Sequence, residues 1–215
     1  RINLTDIEKK AYRSTFQDGI WDLFLGSTLL TLAVVALLSN RGMAEGRQMI
    51  VLIVLQGAAV AFFIAGKKYV TVPRIGFVKF GRQRKAKVRK SHLVLLGSAV
   101  VGAVAFLVAS QLIYSTQAGR PRLIDFMPLA WAVNAIAVFS LLAHYLDCPR
   151  LHGYGVLFAL PVPVDRAIRA FAGVNLSPVA FAVPAIVMLA IGAVLLVSFL
   201  RRYPRAAEEA DLGKK

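Results

Sequence analysis

The chain has 215 residues, 58% of them apolar and only 17% charged, with a mean hydropathy of +0.65. That composition excludes a water-soluble enzyme as the default and points to an integral membrane protein, since several apolar runs approach or exceed the roughly 20 residues a helix needs to cross hydrocarbon. The formal charge of +15 comes from cations clustered between apolar runs, so it reads first as a membrane-orienting signal rather than a nucleic-acid footprint.

The first eighteen residues carry Thr5-Asp6-Ile7-Glu8, a capping-box pattern that starts a short helix. Two readings stand for this segment. Ile7, Ala11 and Phe16 rest on the bilayer while Lys9, Lys10 and Arg13 reach lipid phosphates, or the segment extends the first span into the cytoplasm. A cleaved signal peptide is not expected, because the first apolar run is long and carries Asp18 and Asp22 at its entry.

Apolar runs predict spans at 19–38, 49–66, 93–115 and 127–146, each free of charge inside except for Asp22. A fifth, at 153–170, is interrupted by Pro161, Pro163, Asp165, Arg166 and Arg169, which makes it a broken or re-entrant candidate. A sixth, at 179–200, is closed by Arg201 and Arg202, and 201–215 forms a tail. The fold class is therefore all-α, a six-helix transmembrane bundle. Lys and Arg number four before the first span, ten in the 67–92 loop, one in 147–152 and five in the tail. The alternate loops together hold six, so both termini are expected in the cytoplasm, provided the fifth span crosses.

The ends of the even-numbered spans echo one another. Tyr69-Val-Thr-Val-Pro73-Arg74 and Tyr145-Leu-Asp-Cys-Pro149-Arg150 share one spacing, and Tyr203-Pro204-Arg205 is a shorter version. Leu23-x-x-Gly26 likewise matches Leu189-x-x-Gly192. Three tandem two-helix hairpins would explain both echoes, as would a shared vocabulary of Leu-rich spans and interfacial anchors.

In the 67–92 loop, residues 69–72 and 75–80 are β-prone and suggest an extended strap. Arg82, Arg84, Lys85, Lys87, Arg89 and Lys90 then form a basic stretch of good helix formers that can run directly into the third span. The segment Pro73-Arg74-Ile75-Gly76-Phe77-Val78-Lys79-Phe80 resembles a loop of small bacterial multi-pass membrane proteins of unassigned function. That resemblance implies a bacterial inner-membrane location and supplies no activity. The six cations at 82–90 are candidates to contact anionic lipid or a protein partner, each worth on the order of 1 kcal/mol near a charged leaflet. Topology alone would also select them. Nucleic acid ranks behind both, since no stacking platform accompanies the charges.

Asp18 and Asp22 stand four apart, one turn from Gly26. They read either as partners of Arg74, Arg150 or Arg205 in the repeated endings or as a cation or proton site at the cytoplasmic mouth. Asn134 and His144 lie about 80° apart around the fourth span and form a candidate intramembrane polar site, with interhelical hydrogen bonding by Asn134 as the plainer account. Cys148 stands alone in the sequence, so no disulfide or zinc framework is expected. Metalloprotease, nucleophile-elbow, phosphate-loop and dinucleotide motifs are missing from the sequence, and no cofactor is expected. The functional expectation is a non-enzymatic membrane protein whose basic loop contacts lipid or a partner, with a small transporter or channel as the alternative. An intramembrane enzyme ranks third, and self-association is open.

Overall fold

In the computed structural model, residues 16–75, 82–115 and 126–204 are described. They fold as helices, with no strand among them. The capping-box segment at 5–8 and Arg205 lie outside the described residues. The helices are α1 (Ile20–Asn40), α2 (Glu45–Gly66), α3 (Arg82–Ser115), α4 (Met127–Leu146), α5 (Arg150–Ala159), α6 (Pro161–Ala172) and α7 (Ser177–Arg202). Four segments are long and apolar enough to cross a membrane: α1, α2 with its extension to Arg74, α4 and α7. The expected span at 93–115 falls within α3, and the expected fifth span is divided at Leu160 into α5 and α6.

The chain forms two compact units, one from 1–79 with 176–215, the other from 80–175. In the first, α1 packs chiefly on α7 and secondly on α2. The matched Leu-x-x-Gly motifs explain the first contact. A Cβ on Gly26 would stand 2.9 Å from Leu189 Cγ, and one on Gly192 would stand 2.8 Å from the Leu23 amide nitrogen. Each glycine thus receives the leucine of the opposite motif. Without a strong hydrophobic drive between helices in lipid, such close backbone approach is what holds them together. Because Gly19, Leu23 and Gly26 meet Leu195–Leu196, Gly192 and Leu189 in turn, the two helices run antiparallel. The start of α1 and the end of α7 therefore share one end of this unit.

The α1–α2 pair is a hairpin around residues 41–44, where α1 ends in backbone bonds from Arg41 to Leu37 and from Gly42 to Ser39. Trp21 and Phe24 both meet Phe63, with centroids 4.8 and 5.2 Å apart, and Gln56 Nε2 donates to Thr28 Oγ1 at 3.2 Å. The remaining surface of α2 exposes Met49, Ile50, Ile53, Val54, Phe62 and Ile64. With its extension to Arg74, this helix is long and apolar enough to cross a membrane, and little of its apolar surface is covered by the rest of the chain.

The repeated Tyr-x3-Pro-Arg spacing does not give a repeated conformation. In the first copy the helix continues: Lys67–Thr71 forms a π-helical turn, and Val72–Ile75 a last α-helical one. The extended strap expected at 69–72 is therefore helical. A π turn widens the helix just before Pro73, whose missing N–H and bulky ring would strain an α-helical register. In the second copy the helix stops, because Asp147 turns left-handed at φ 52° and Pro149 caps the start of α5. The third expected hairpin is also divided, with α5 and α6 in one unit and α7 in the other.

In the second unit α4 packs on α5, on α3 and on α6. A Cβ at Gly155 would stand 2.9 Å from Phe139 Cβ, and the Phe139 and Phe158 rings lie 4.8 Å apart. Pro161 and Pro163 cannot donate to the carbonyls of Leu157 and Ala159, and between these the Trp131 indole N–H donates to the Phe158 carbonyl at 2.8 Å. Trp131→Phe should therefore lower the thermal stability of the purified protein by about 1 kcal/mol, the usual net worth of one such bond. An unchanged melting curve would mean that the bond does not hold the kink.

Candidate functional site

The most buried polar cluster lies where the start of α1 meets the end of α2. Asp18 precedes Gly19, whose φ of 73° is a left-handed conformation that suits glycine. A Cβ at Gly19 would also stand 2.3 Å from the Gly192 carbonyl. This turn aims the Asp18 carboxylate back at the helix, where one oxygen accepts the Ile20 N–H at 3.1 Å. Its other oxygen accepts Lys67 Nζ at 2.6 Å and the Thr71 hydroxyl at 2.5 Å. Asp18 is fully buried, and the Lys67 side chain is 23% exposed. The Lys67 ammonium also stands over the Phe16 and Phe63 rings, 5.9 and 6.0 Å from their centroids.

This arrangement gives a charge-paired, hydrogen-bonded carboxylate at one end of the first unit. Asp22 is buried one turn into α1. The cation beside Asp18 is Lys67, at the end of α2. Arg74, expected as a partner, ends the α2 extension with its Nε buried and lacking an acceptor. Arg150 begins α5 in the second unit. A signal for Lys67 was present, since Asp18 and Lys67 stand equally far from the 41–44 turn and a hairpin pairs residues symmetrically about its turn.

The basic stretch opens α3 as one continuous helix with the apolar run that follows. Lys87 Nζ lies 3.7 Å from the Asp147 carboxylate at the turn between α4 and α5. Arg89 and Lys90 are exposed, as is His92. The side chains of Arg82, Arg84 and Lys85 lie outside the description. Lys87 is thus engaged in holding α3 to its own unit, whereas Arg89 and Lys90 face outward.

No family model, curated protein or solved structure matches the chain.

In α4, Asn134 Nδ2 donates to Ser98 Oγ of α3 at 3.2 Å, an interhelical bond of the plainer kind. His144 is exposed near the other end of α4, with its ring 5.4 Å from that of Tyr145. The structure does not bring Asn134 and His144 together, since ten residues separate them by about 15 Å along one helix. Asp165 Oδ2 receives Arg169 Nε at 2.8 Å, the i, i+4 neutralisation their spacing predicts. Cys148 is buried at the turn after α4.

Proposed function

We propose that the protein is a six-span component of a bacterial inner membrane, with both termini in the cytoplasm, that engages anionic lipid headgroups through the basic start of α3. The observation that carries this reading is the continuity of α3: its cationic turns are a rigid prolongation of an apolar helix. A rod of this kind holds its charges at headgroup level without the entropy cost of ordering a loop. The shared end of α1 and α7 supports termini on one side, and the excess of Lys and Arg in the connections on that side supports the cytoplasmic assignment. The role is non-enzymatic, and a protein partner with an acidic surface is the other occupant the same charges would suit.

Replacing Arg82, Arg84, Lys85, Arg89 and Lys90 by glutamine while keeping Lys87 should remove most of the preference for anionic over zwitterionic lipid. The preference is read as lipid retained by native mass spectrometry across a salt series. Because exposed charges are screened within about 8–10 Å at 0.1–0.15 M salt, the wild-type preference should fall as salt rises. A variant that folds and keeps its anionic-lipid preference sinks the lipid reading. A second reading, a small transporter with a cation site at Asp18 and Asp22, draws on the depth at which both carboxylates lie. Ion flux in proteoliposomes separates it from the first.

A further inference from the structure

The segment α5–α6 is amphipathic in the inverted sense. Val156, Leu160, Val164 and Phe171 recur at helical spacing on one face and are 48, 48, 39 and 93% exposed, whereas the charged Asp165 and Arg166 on the opposite face are partly covered. One Asp165 oxygen is buried, and the other carries the ion pair to Arg169. In water this is the wrong way round, since the apolar stripe would be solvated and the carboxylate covered.

The stripe does not stop at the proline break. Leu160 keeps helical dihedrals and donates to the Val156 carbonyl at 3.1 Å, while Val164 donates to the Leu160 carbonyl at 3.0 Å. Residues 150–172 therefore form one kinked rod about 34 Å long at 1.5 Å per residue, which matches a hydrocarbon core of about 30 Å. Just before the two prolines the Trp131 indole of α4 donates to the Phe158 carbonyl, tying the rod to α4. On α4, which packs against this rod, Leu129, Val133 and Ile136 are exposed in a second apolar stripe.

We infer that α5 and α6 together are a single complete membrane crossing whose Val156–Leu160–Val164–Phe171 stripe is seated on lipid acyl chains, with Asp165 and Arg166 turned away from lipid and the exposed Arg169 paired to Asp165 one turn before the end of the rod. The occupant is hydrocarbon because the stripe is wholly apolar, continues past the prolines, and lies on a rod long enough to cross the bilayer core. The fifth segment is then neither re-entrant nor interfacial, and Asp165 and Arg166 lie on its covered side, with Asp165 neutralised by Arg169.

The inference rests on the membrane reading of the chain, and its test separates the two. In a Cys148→Ser background, nitroxide labels are placed singly by Val156→Cys, Leu160→Cys, Val164→Cys, Phe171→Cys and Arg166→Cys, with Ile53→Cys in α2 as a control for insertion. Reconstituted protein is then probed with oxygen, which partitions into lipid, and with a nickel chelate, which stays in water. The four stripe positions should collide with oxygen at least several-fold more than with nickel, and position 166 should be shielded from oxygen relative to them. Nickel dominating at positions 164 and 171 while position 53 stays in lipid would overturn the inference alone. Dipolar broadening at position 171, the sign of a second copy on the stripe, would overturn it as well. Nickel access at position 53 would remove the membrane reading itself.

Discussion

Asp18→Ala should destabilise the first unit by about 3–5 kcal/mol, the cost of leaving one partner of a buried ion pair uncompensated. The substitution removes the Lys67 ion pair, the Thr71 hydrogen bond and the acceptor for the Ile20 N–H in one step. Unfolding in lipid-containing micelles reads the loss. Lys67→Met alone should also destabilise, because it leaves the fully buried Asp18 carboxylate with only the Thr71 and Ile20 donors and removes the ammonium from two aromatic faces. The double variant Asp18→Ala with Lys67→Met should cost less than the sum of the two, since no charge is then left alone. Strict additivity of the two single effects would mean that the pair is not energetically coupled. In proteoliposomes, a well-folded Asp18→Asn and Asp22→Asn variant that had lost a wild-type cation flux would favour transport over a structural pair.

Gly19→Ala should be at least as damaging, and for two separate reasons. A left-handed φ of 73° strains an L-residue by roughly 1–2 kcal/mol. Its methyl group would also stand 2.3 Å from the Gly192 carbonyl and 2.8 Å from the Leu196 amide nitrogen, both backbone atoms that cannot rotate away. The helices must separate, and the reciprocal seats at Gly26 and Gly192 are lost with them. Expression should fall sharply, and any recovered protein should melt well below wild type. Gly153→Ala, where a Cβ meets open space, serves as the control and should be near neutral. A Gly19→Ala protein with wild-type yield and stability would refute the close α1–α7 packing.

The placement of the basic stretch was legible in composition alone, because good helix formers run without interruption from Arg82 into the apolar residues after His92. The same holds for the helix at 127–146, which the sequence bounded at the residues where the structure does. The Asp165–Arg169 pair followed from i, i+4 spacing. The strap at 69–72 was misread. Its β-branched residues favour strands in isolation, but they follow an 18-residue apolar run, and continuing that helix satisfies their backbone groups at no further nucleation cost. The repeated Tyr-x3-Pro-Arg spacing also misled, since the same four-residue interval can be absorbed by a π turn or ended by a left-handed residue.

Helix identity, membrane length and charge asymmetry were fixed by the sequence, because each depends on residues close together along the chain. Which cation faces Asp18, and which face of α6 is apolar outward, were decided only by the tertiary structure. The first depends on the antiparallel register of α1 and α2, which joins residues 49 positions apart. The second depends on which side of a kinked rod packs against α4, and periodicity alone marks two faces without saying which of them a neighbour will cover.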